Sequence, residues 1–396
     1  MTVKKKFNIL YTNIGRGHPF YLDGICDEIS RNHSDKIDLN IINVFDLSSG
    51  LSLWLWELIQ FMYKRGSQGG LEGIFYSILR KYKKTSDFGY IEKILARGIR
   101  DYIKKNNHPT LVAHPMLIPM ISDLTDVFYQ HGELVVPDAV VVNDVTSIFV
   151  PSDNAKDKFL NKGINEKNII TTGLCIEKKL KENAEKYYDQ RLVRLKAKDD
   201  LIGAFFSSGA EPIVHINIIV KMLTSMDKSG HKAILFFKSG GNIEKIVMKI
   251  FEPAKINTES AINDVSAIFK NKNILMIKYY GREGENQIVE HLFEHFDYFV
   301  APSHERTNWA LGLGIPMFIL HPLIGPFSPL NRDLLIKNNV ANEAQSIEKA
   351  LYFSTKLKQL SENGYLVSMA QNGFGKYSLD GFSQICESIE KSLYHV

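Results

Sequence analysis

An apolar run, Phe7-Asn8-Ile9-Leu10-Tyr11-Thr12, leads into Asn13-Ile14-Gly15-Arg16-Gly17-His18-Pro19 and then into an amphipathic stretch from Phe20 to Ile29. The spacing predicts a strand, a tight turn and a helix. Gly15 and Gly17 permit backbone angles closed to other residues, so main-chain N–H groups can approach a ligand, and Pro19 suits a first helical position. The imidazole of His18 then stands beside the positive end of a helix dipole, at the carboxyl end of a strand. Open parallel sheets place their reactions at that edge, and imidazole changes charge near neutral pH. His18 is therefore the first candidate for proton transfer. His114 follows the expected strand Thr110–Ala113, and Asp144 follows the expected strand Ala139–Val142, so both can line the same edge. Asp144 is placed to orient His18 or bind a hydroxyl; equally, each residue can simply cap a turn. A purely steric turn also competes at Gly15, because Phe20 stands where a dinucleotide fingerprint has its third glycine.

A second chemical corner lies later in the chain. The apolar run Leu201–Phe206 ends in Ser207-Ser208-Gly209-Ala210, where N–H groups and hydroxyls can meet a phosphate at the following helix terminus. Tight turns use the same residues for steric reasons. Further on, Ala301-Pro302-Ser303-His304-Glu305-Arg306-Thr307-Asn308 precedes Gly312-Leu313-Gly314-Ile315-Pro316, an apolar run Met317–Leu320, a Pro/Gly-rich loop and Asn331. Polar groups from both ends of such a unit converge on one face, which makes Glu305, Thr307, Asn308 and Asn331 ligand candidates. Lys238-Ser239-Gly240-Gly241-Asn242 is either a further contact or a turn. His291, His295 and His304 have no carboxylate partner set and read as ordinary histidines, so no metal site is expected.

The elements that must position these residues follow from periodicity. Expected strands are Phe7–Tyr11, Ile37–Val44, Thr110–Ala113, Ala139–Val142, Ile148–Val150 and Ile169–Thr172, then Leu201–Phe206, Ala233–Phe237, Ile274–Lys278, Tyr298–Ala301 and Met317–Leu320. Helical patterns between them predict parallel sheets with crossover helices. The stretch from Glu177 to Asp200, rich in Lys and Glu, reads as a linker with helical pieces. Domains are expected at 1–180 and 201–375, joined by 181–200, with 376–396 as a terminal helix. A length of 396 residues supports two cores, and 44% hydrophobic with 23% charged residues is ordinary for a globular protein. The net charge of +4 is spread along the chain and gives no case for nucleic acid. Cys26, Cys175 and Cys386 lack metal-ligand spacing and argue for a reducing compartment. The opening Met-Thr-Val-Lys-Lys-Lys shows no secretory signal, so a cytoplasmic location is expected.

Taken in order, these features resemble the nucleotide-sugar glycosyltransferases of the two-Rossmann-domain type, specifically the group of diacylglycerol glycosyltransferases and the N-acetylglucosaminyltransferase that makes lipid II. Gly15-Arg16-Gly17-His18 is similar to the group's Gly-Gly-Gly-His turn. Phe149-Val150-Pro151-Ser152-Asp153-Asn154-Ala155-Lys156, with Ile169–Leu174, is similar to the end of its first domain. Ser207–Ala210 resembles its second glycine-rich loop, and Ala310–Pro316 with Asn331 its donor unit. The resemblance implies an α/β fold of two Rossmann-like domains with a cleft between them (GT-B-like) and a nucleotide-sugar donor, UDP-linked, with no further cofactor. It further implies that His18 and Asp144 act in catalysis, with Gly15, Gly17 and His114 at the acceptor. Ser208, Gly209, Ala210, Glu305, Thr307, Asn308 and Asn331 would hold the donor. The group's ribose-binding glutamate is replaced by Trp309, leaving Glu305 as the nearest carboxylate, and Arg16 replaces the middle glycine.

Residues 51–100 bear on the acceptor. Glu57, Gln60 and Lys64 fall at helical spacing within a wide aromatic face, and Ile74–Lys84 joins aromatics to a basic cluster. The pattern suits a lipid or glycan acceptor mouth or a peripheral contact on the inner membrane face, and it equally suits a buried helical hairpin. The final helix, about Leu379–Leu393, is expected to pack back on the first domain. Two alternatives share the scaffold: a nucleotide-sugar epimerase or hydrolase, and a glycan- or nucleotide-binding protein without turnover.

Overall fold

Alternation of short apolar runs with amphipathic stretches resolves into two separate parallel sheets. The computed structural model describes residues 3–12, 14–15, 17–66, 89–198, 201–251, 256–258, 269, 272–344 and 346–394. Of the described residues, those within 3–66, 89–176 and 377–394 form one unit, and those within 177–376 the other.

In the first unit the strands are β1 (Lys5–Tyr11), β2 (Ile37–Asn43), β3 (Thr110–Val112), β4 (Val127–Gln130), β5 (Ser147–Val150) and β6 (Ile169–Thr171), in the spatial order β2-β1-β3-β4-β5-β6. All neighbours are parallel. The pleat sends alternate side chains to opposite faces. Phe7 and Ile9 of β1 pack with Phe20, Ile25 and Ile29 of the helix Gly17–Asn32 and with Phe382, Ile385 and Ile389 of the helix Gly381–Tyr394. Leu10 packs on the other face with Trp56, Leu95 and Ile99. Both faces are covered, as parallel sheets require.

The expected strand Ala139–Val142 is not formed. Pro137 at φ −63° instead starts a single 3-10 turn, Asp138–Val140. The place between β3 and β5 is taken by Val127–Gln130, four fully buried residues absent from the sequence reading. Its polar end hides it: the Gln130 amide is buried and donates to Cys175 Sγ at 3.5 Å.

The second unit holds β7 (Ile202–Phe205), β8 (Lys232–Lys238), β9 (Ile256–Thr258), β10 (Ile274–Tyr279), β11 (Tyr298–Ala301), β12 (Met317–Leu320) and β13 (Ala341–Ala344), ordered β13-β12-β11-β7-β8-β10-β9. The two strands missing from the sequence reading, β9 and β13, are its edges; both are short, and each carries an Asn. Residues 184–197 form a helix whose buried Arg191 donates from Nε to the Phe296 carbonyl at 2.9 Å and from Nη1 to that of Leu313 at 2.9 Å. This guanidinium fixes the turn at Gly314, whose φ of 62° and close approach to the Ala370 carbonyl leave no room for a Cβ.

The helix Gly50–Gly66 is two-faced. Ser52 Oγ and Trp56 Nε1 both donate to the Leu95 carbonyl at 3.2 Å, tying it to the helix Tyr90–Lys105. Leu51, Trp54 and Phe61 remain exposed. The basic segment Ile74–Lys84 lies outside the described residues. Among those described, no helix is long and apolar enough to cross a membrane.

The helix Gly381–Tyr394 is fastened to the start of the chain by charge. Glu390 accepts from Lys36 Nζ at 2.7 Å and lies 2.7 Å from His33 Nδ1. These partners, Lys36 first, hold its carboxyl below the usual carboxylate range. A depressed carboxyl contributes stability above the unfolded-state pKa of roughly 4.3, and that stability is lost as pH falls through the folded-state value. Glu390→Gln should therefore lower the melting temperature by about 2–4 °C at pH 7, and the gap should close in acid. A gap that persists unchanged below pH ~3 contradicts the linkage.

Candidate functional site

In each sheet the strand order reverses once beside the first strand, and chains leaving the two strands there depart to opposite faces. The crevice this opens at the carboxyl edge is where open α/β sheets bind ligands. In the first unit the reversal lies between β1 and β3.

Gly15 follows β1 at φ 78°, and a Cβ there would lie 2.9 Å from the Tyr63 hydroxyl of the helix Gly50–Gly66. Of the pair, only this glycine needs its freedom: Gly17 has no positive φ and open space around it. The helix begins at Gly17, two residues before the expected Pro19, which places His18 inside its first turn. His114 follows β3, and the two rings converge, with centroids 4.8 Å apart and planes tilted by 56°. Both histidines are half-buried. His114 Nδ1 accepts the Met116 N–H at 3.2 Å, capping the 3-10 turn Pro115–Leu117. At the end of β1, the buried Thr12 hydroxyl has no hydrogen-bond partner among the described residues.

The strand missed by the sequence reading brings a third imidazole. His131, directly after β4, is buried, with Nε2 3.1 Å from the Val135 carbonyl and Nδ1 3.4 Å from the Tyr129 hydroxyl. Burial first, and the charge of nearby His18 as a lesser cause, pull its pKa down to about 4. It is neutral at physiological pH. The signal in sequence was the polar pair Gln130-His131 closing a short apolar run. Asp144 is exposed, at φ 60°, in the segment that follows the 3-10 turn. The strand expected to deliver it does not form.

In the second unit the reversal lies between β7 and β11. After β7 the chain turns through Ser208–Glu211, closed by the Glu211 N–H donating to the Ser208 carbonyl at 2.9 Å. Glu211, a non-glycine at φ 45°, is the left-handed residue of this turn, with Ser208, Gly209 and Ala210 before it. Its buried carboxylate accepts the Ile243 N–H at 3.1 Å, which binds the Lys238–Asn242 segment to this turn. The helix Ile213–Lys228 that follows has no capping side chain on its first turn.

After β11, the side chains of Thr307 and Asn308 are buried, and Thr307 Oγ1 and both amide atoms of Asn308 find no partner among the described residues; the same holds for Ser207 Oγ. Asn331 is buried and donates to the Ser303 carbonyl at 3.1 Å. Such unmet buried groups cost roughly 1–3 kcal/mol each unless an ordered water or a ligand supplies the bonds. Trp309 packs against Phe206, Phe293 and Phe299 in the core. Glu305 lies 3.5 Å from Arg306 Nη1. Arg306, missed in the sequence, stacks on Phe206 at 4.1 Å and pairs with Glu285, and all three are buried. His215 Nε2 sits 2.9 Å from the Pro322 carbonyl, and burial brings its pKa to about 4; burial likewise lowers that of His304. Among the described residues, no group of three or more His, Cys, Asp or Glu is arranged to hold a metal.

Removing one member of a buried ion pair leaves an uncompensated charge. Glu285→Ala should cost about 3 kcal/mol or more in denaturant unfolding. A loss below about 1 kcal/mol would mean the pair behaves as a surface contact.

No protein-family model matches the chain, and no curated protein matches it. Solved structures do. A putative UDP-N-acetylglucosamine 2-epimerase from Listeria monocytogenes aligns over 100% of this chain and 98% of its own, with a TM-score of 0.60 at 12% identity. The UDP-GlcNAc 2-epimerase of Neisseria meningitidis, bound to UDP-GlcNAc, aligns over 98% of this chain and 100% of its own, with a TM-score of 0.58 at 12% identity. MurG of Acinetobacter baumannii aligns over 98% and 99%, with a TM-score of 0.53 at 10% identity. These likenesses show the fold, two Rossmann-like domains of the GT-B type, as the sequence led us to expect.

Proposed function

We propose that this chain is an enzyme acting on nucleotide sugars, a glycosyltransferase that moves a hexose from a UDP-linked donor to an acceptor hydroxyl. The observation that carries the reading is the set of buried polar atoms on Ser207, Thr307 and Asn308 that find no partner among the described residues and sit on the two segments leaving the reversal point of the second sheet. Hydroxyl and carboxamide groups suit the many hydroxyls of a ribose or a sugar. The turn Ser208-Gly209-Ala210 at the start of a 16-residue helix suits the diphosphate. Glu305 and Asn331 complete the donor set, Glu305 in place of the glutamate that Trp309 displaces.

The acceptor belongs to the first unit, with Gly15 and Gly17 beside it. His18 takes the proton of the acceptor hydroxyl as the oxygen bonds to the anomeric carbon. The bond from that carbon to the phosphate oxygen breaks, and the nucleoside diphosphate leaves with the electron pair. Helix-terminal N–H groups meet the charge that develops on the diphosphate. The exposed Leu51, Trp54 and Phe61 favour an acceptor with a lipid portion, met at the inner face of a membrane by a cytoplasmic protein.

Epimerisation is the second reading. It is favoured by the higher TM-scores of the two epimerases, 0.60 and 0.58 against 0.53 for MurG. The same imidazole can remove a proton from a sugar carbon. Incubation with a panel of UDP-sugars, with and without lipid and glycan acceptors, separates the readings. A glycosylated product supports transfer; a changed sugar still on UDP supports epimerisation; binding without products supports a non-catalytic role. His18→Ala should lower turnover about 10²–10⁴-fold while nucleotide affinity stays near wild type. Full activity in that variant removes His18 from the chemistry.

A further inference from the structure

We propose that His114 is a second catalytic imidazole, a neutral Nε2–H donor that holds the acceptor oxygen while His18 takes its proton. The inference rests on the transfer reading above and assigns a chemical state to a residue otherwise only placed near the acceptor.

The state follows from one hydrogen bond. Met116 is an N–H donor, so the His114 Nδ1 that accepts it at 3.2 Å carries no proton. The neutral ring therefore bears its proton on Nε2. Charging the ring would set an Nδ1–H against the Met116 N–H, two donors facing each other. The backbone of the 3-10 turn Pro115–Leu117 thus holds His114 neutral and fixes its tautomer. A hydrogen bond at one ring nitrogen commonly decides the state of the other in this way.

His131 is locked by a different bond. Its Nε2 faces a carbonyl, which can only accept, so that nitrogen holds the proton and Nδ1 takes the Tyr129 hydroxyl. Of three imidazoles at three adjacent strand ends, two are held neutral by the chain around them. On this assignment the exchangeable proton falls to His18. Its ring centre lies 4.8 Å from that of His114, close enough for one oxygen to meet both. Among the described residues, the titratable groups around this edge include His131 with the Tyr129 hydroxyl, Tyr63 against Gly15, and Glu133, which lies 3.5 Å from the Tyr21 hydroxyl. A base alone leaves an acceptor hydroxyl free to rotate; a fixed donor beside it orients the lone pair that attacks.

Three substitutions test this on the intact chain. A glutamine amide places its N–H near the position of Nε2, and an asparagine amide near that of Nδ1. His114→Gln should therefore keep most of the wild-type kcat, whereas His114→Asn and His114→Phe should lose about a hundredfold, with nucleotide Kd unchanged in all three. Equal losses in the Gln and Asn variants, or a fall in nucleotide affinity that accounts for the lost activity, overturn the proposal. Nitrogen-15 NMR of the wild-type imidazoles reads the state directly and needs no turnover. The expected spectrum shows His114 protonated at Nε2 and unchanged from pH 6 to 8 while His18 titrates. A His114 that titrates in this range, or bears its proton on Nδ1, also overturns it. If the NMR result holds and no sugar is transferred, the transfer reading fails while the assigned state of His114 stands.

Discussion

Parallel strands cannot be joined by tight turns, so each step to the next strand needs a crossover, and a helix is the compact way to make one. The first strand of each sheet sits inside it, with its next partner in sequence on one side and a later strand on the other. Two chains therefore leave neighbouring strands in opposite directions at one place in each sheet. Backbone hydrogen bonds do not close that gap. Side chains placed there face a crevice by topology alone, and most of the chemical residues of this chain follow from it: His18 after β1, His114 after β3, the Ser207–Ala210 turn after β7, and Thr307 with Asn308 after β11.

The supports around these points are ordinary packing put to positional use. Arg191 bridges two loops through carbonyl bonds, to Phe296 and to Leu313-Gly314, and sets the Gly314 turn from which β12 starts. Glu211 ties the β7 turn to the segment after β8. Arg306, stacked on Phe206 and paired with Glu285, fixes the approach to Thr307. In the first unit Tyr63 fills the space left by Gly15, so the helix with the exposed Leu51, Trp54 and Phe61 also shapes the His18 turn.

Sequence alone made the central strands legible because each is a near-continuous apolar run. Phe7–Tyr11, Tyr298–Ala301 and Met317–Leu320 fall within a residue or two of where the structure puts them. The reading failed where hydrophobicity and strand formation part company. Apolar patterning misleads at Ala139–Val142, which follows a proline that starts a 3-10 turn. Ala341–Ala344 is a strand despite its Asn and Glu because an edge pairs on one side only. The same failure hid His131, since its strand was not seen, and left Asp144 exposed in a turn rather than at a strand end. Arg306 and Glu285 stand 21 residues apart, and no local pattern joins them.

Everything proposed for the chemistry turns on the reversal point of the second sheet receiving the nucleotide. Hydrogen–deuterium exchange of the full-length chain, with and without UDP at saturating concentration, tests it most directly. Bound UDP is predicted to slow exchange in the segments 207–215 and 303–309, with the amides of the edge strand β13 unchanged. Absence of any protection, or protection confined to other segments, would contradict it.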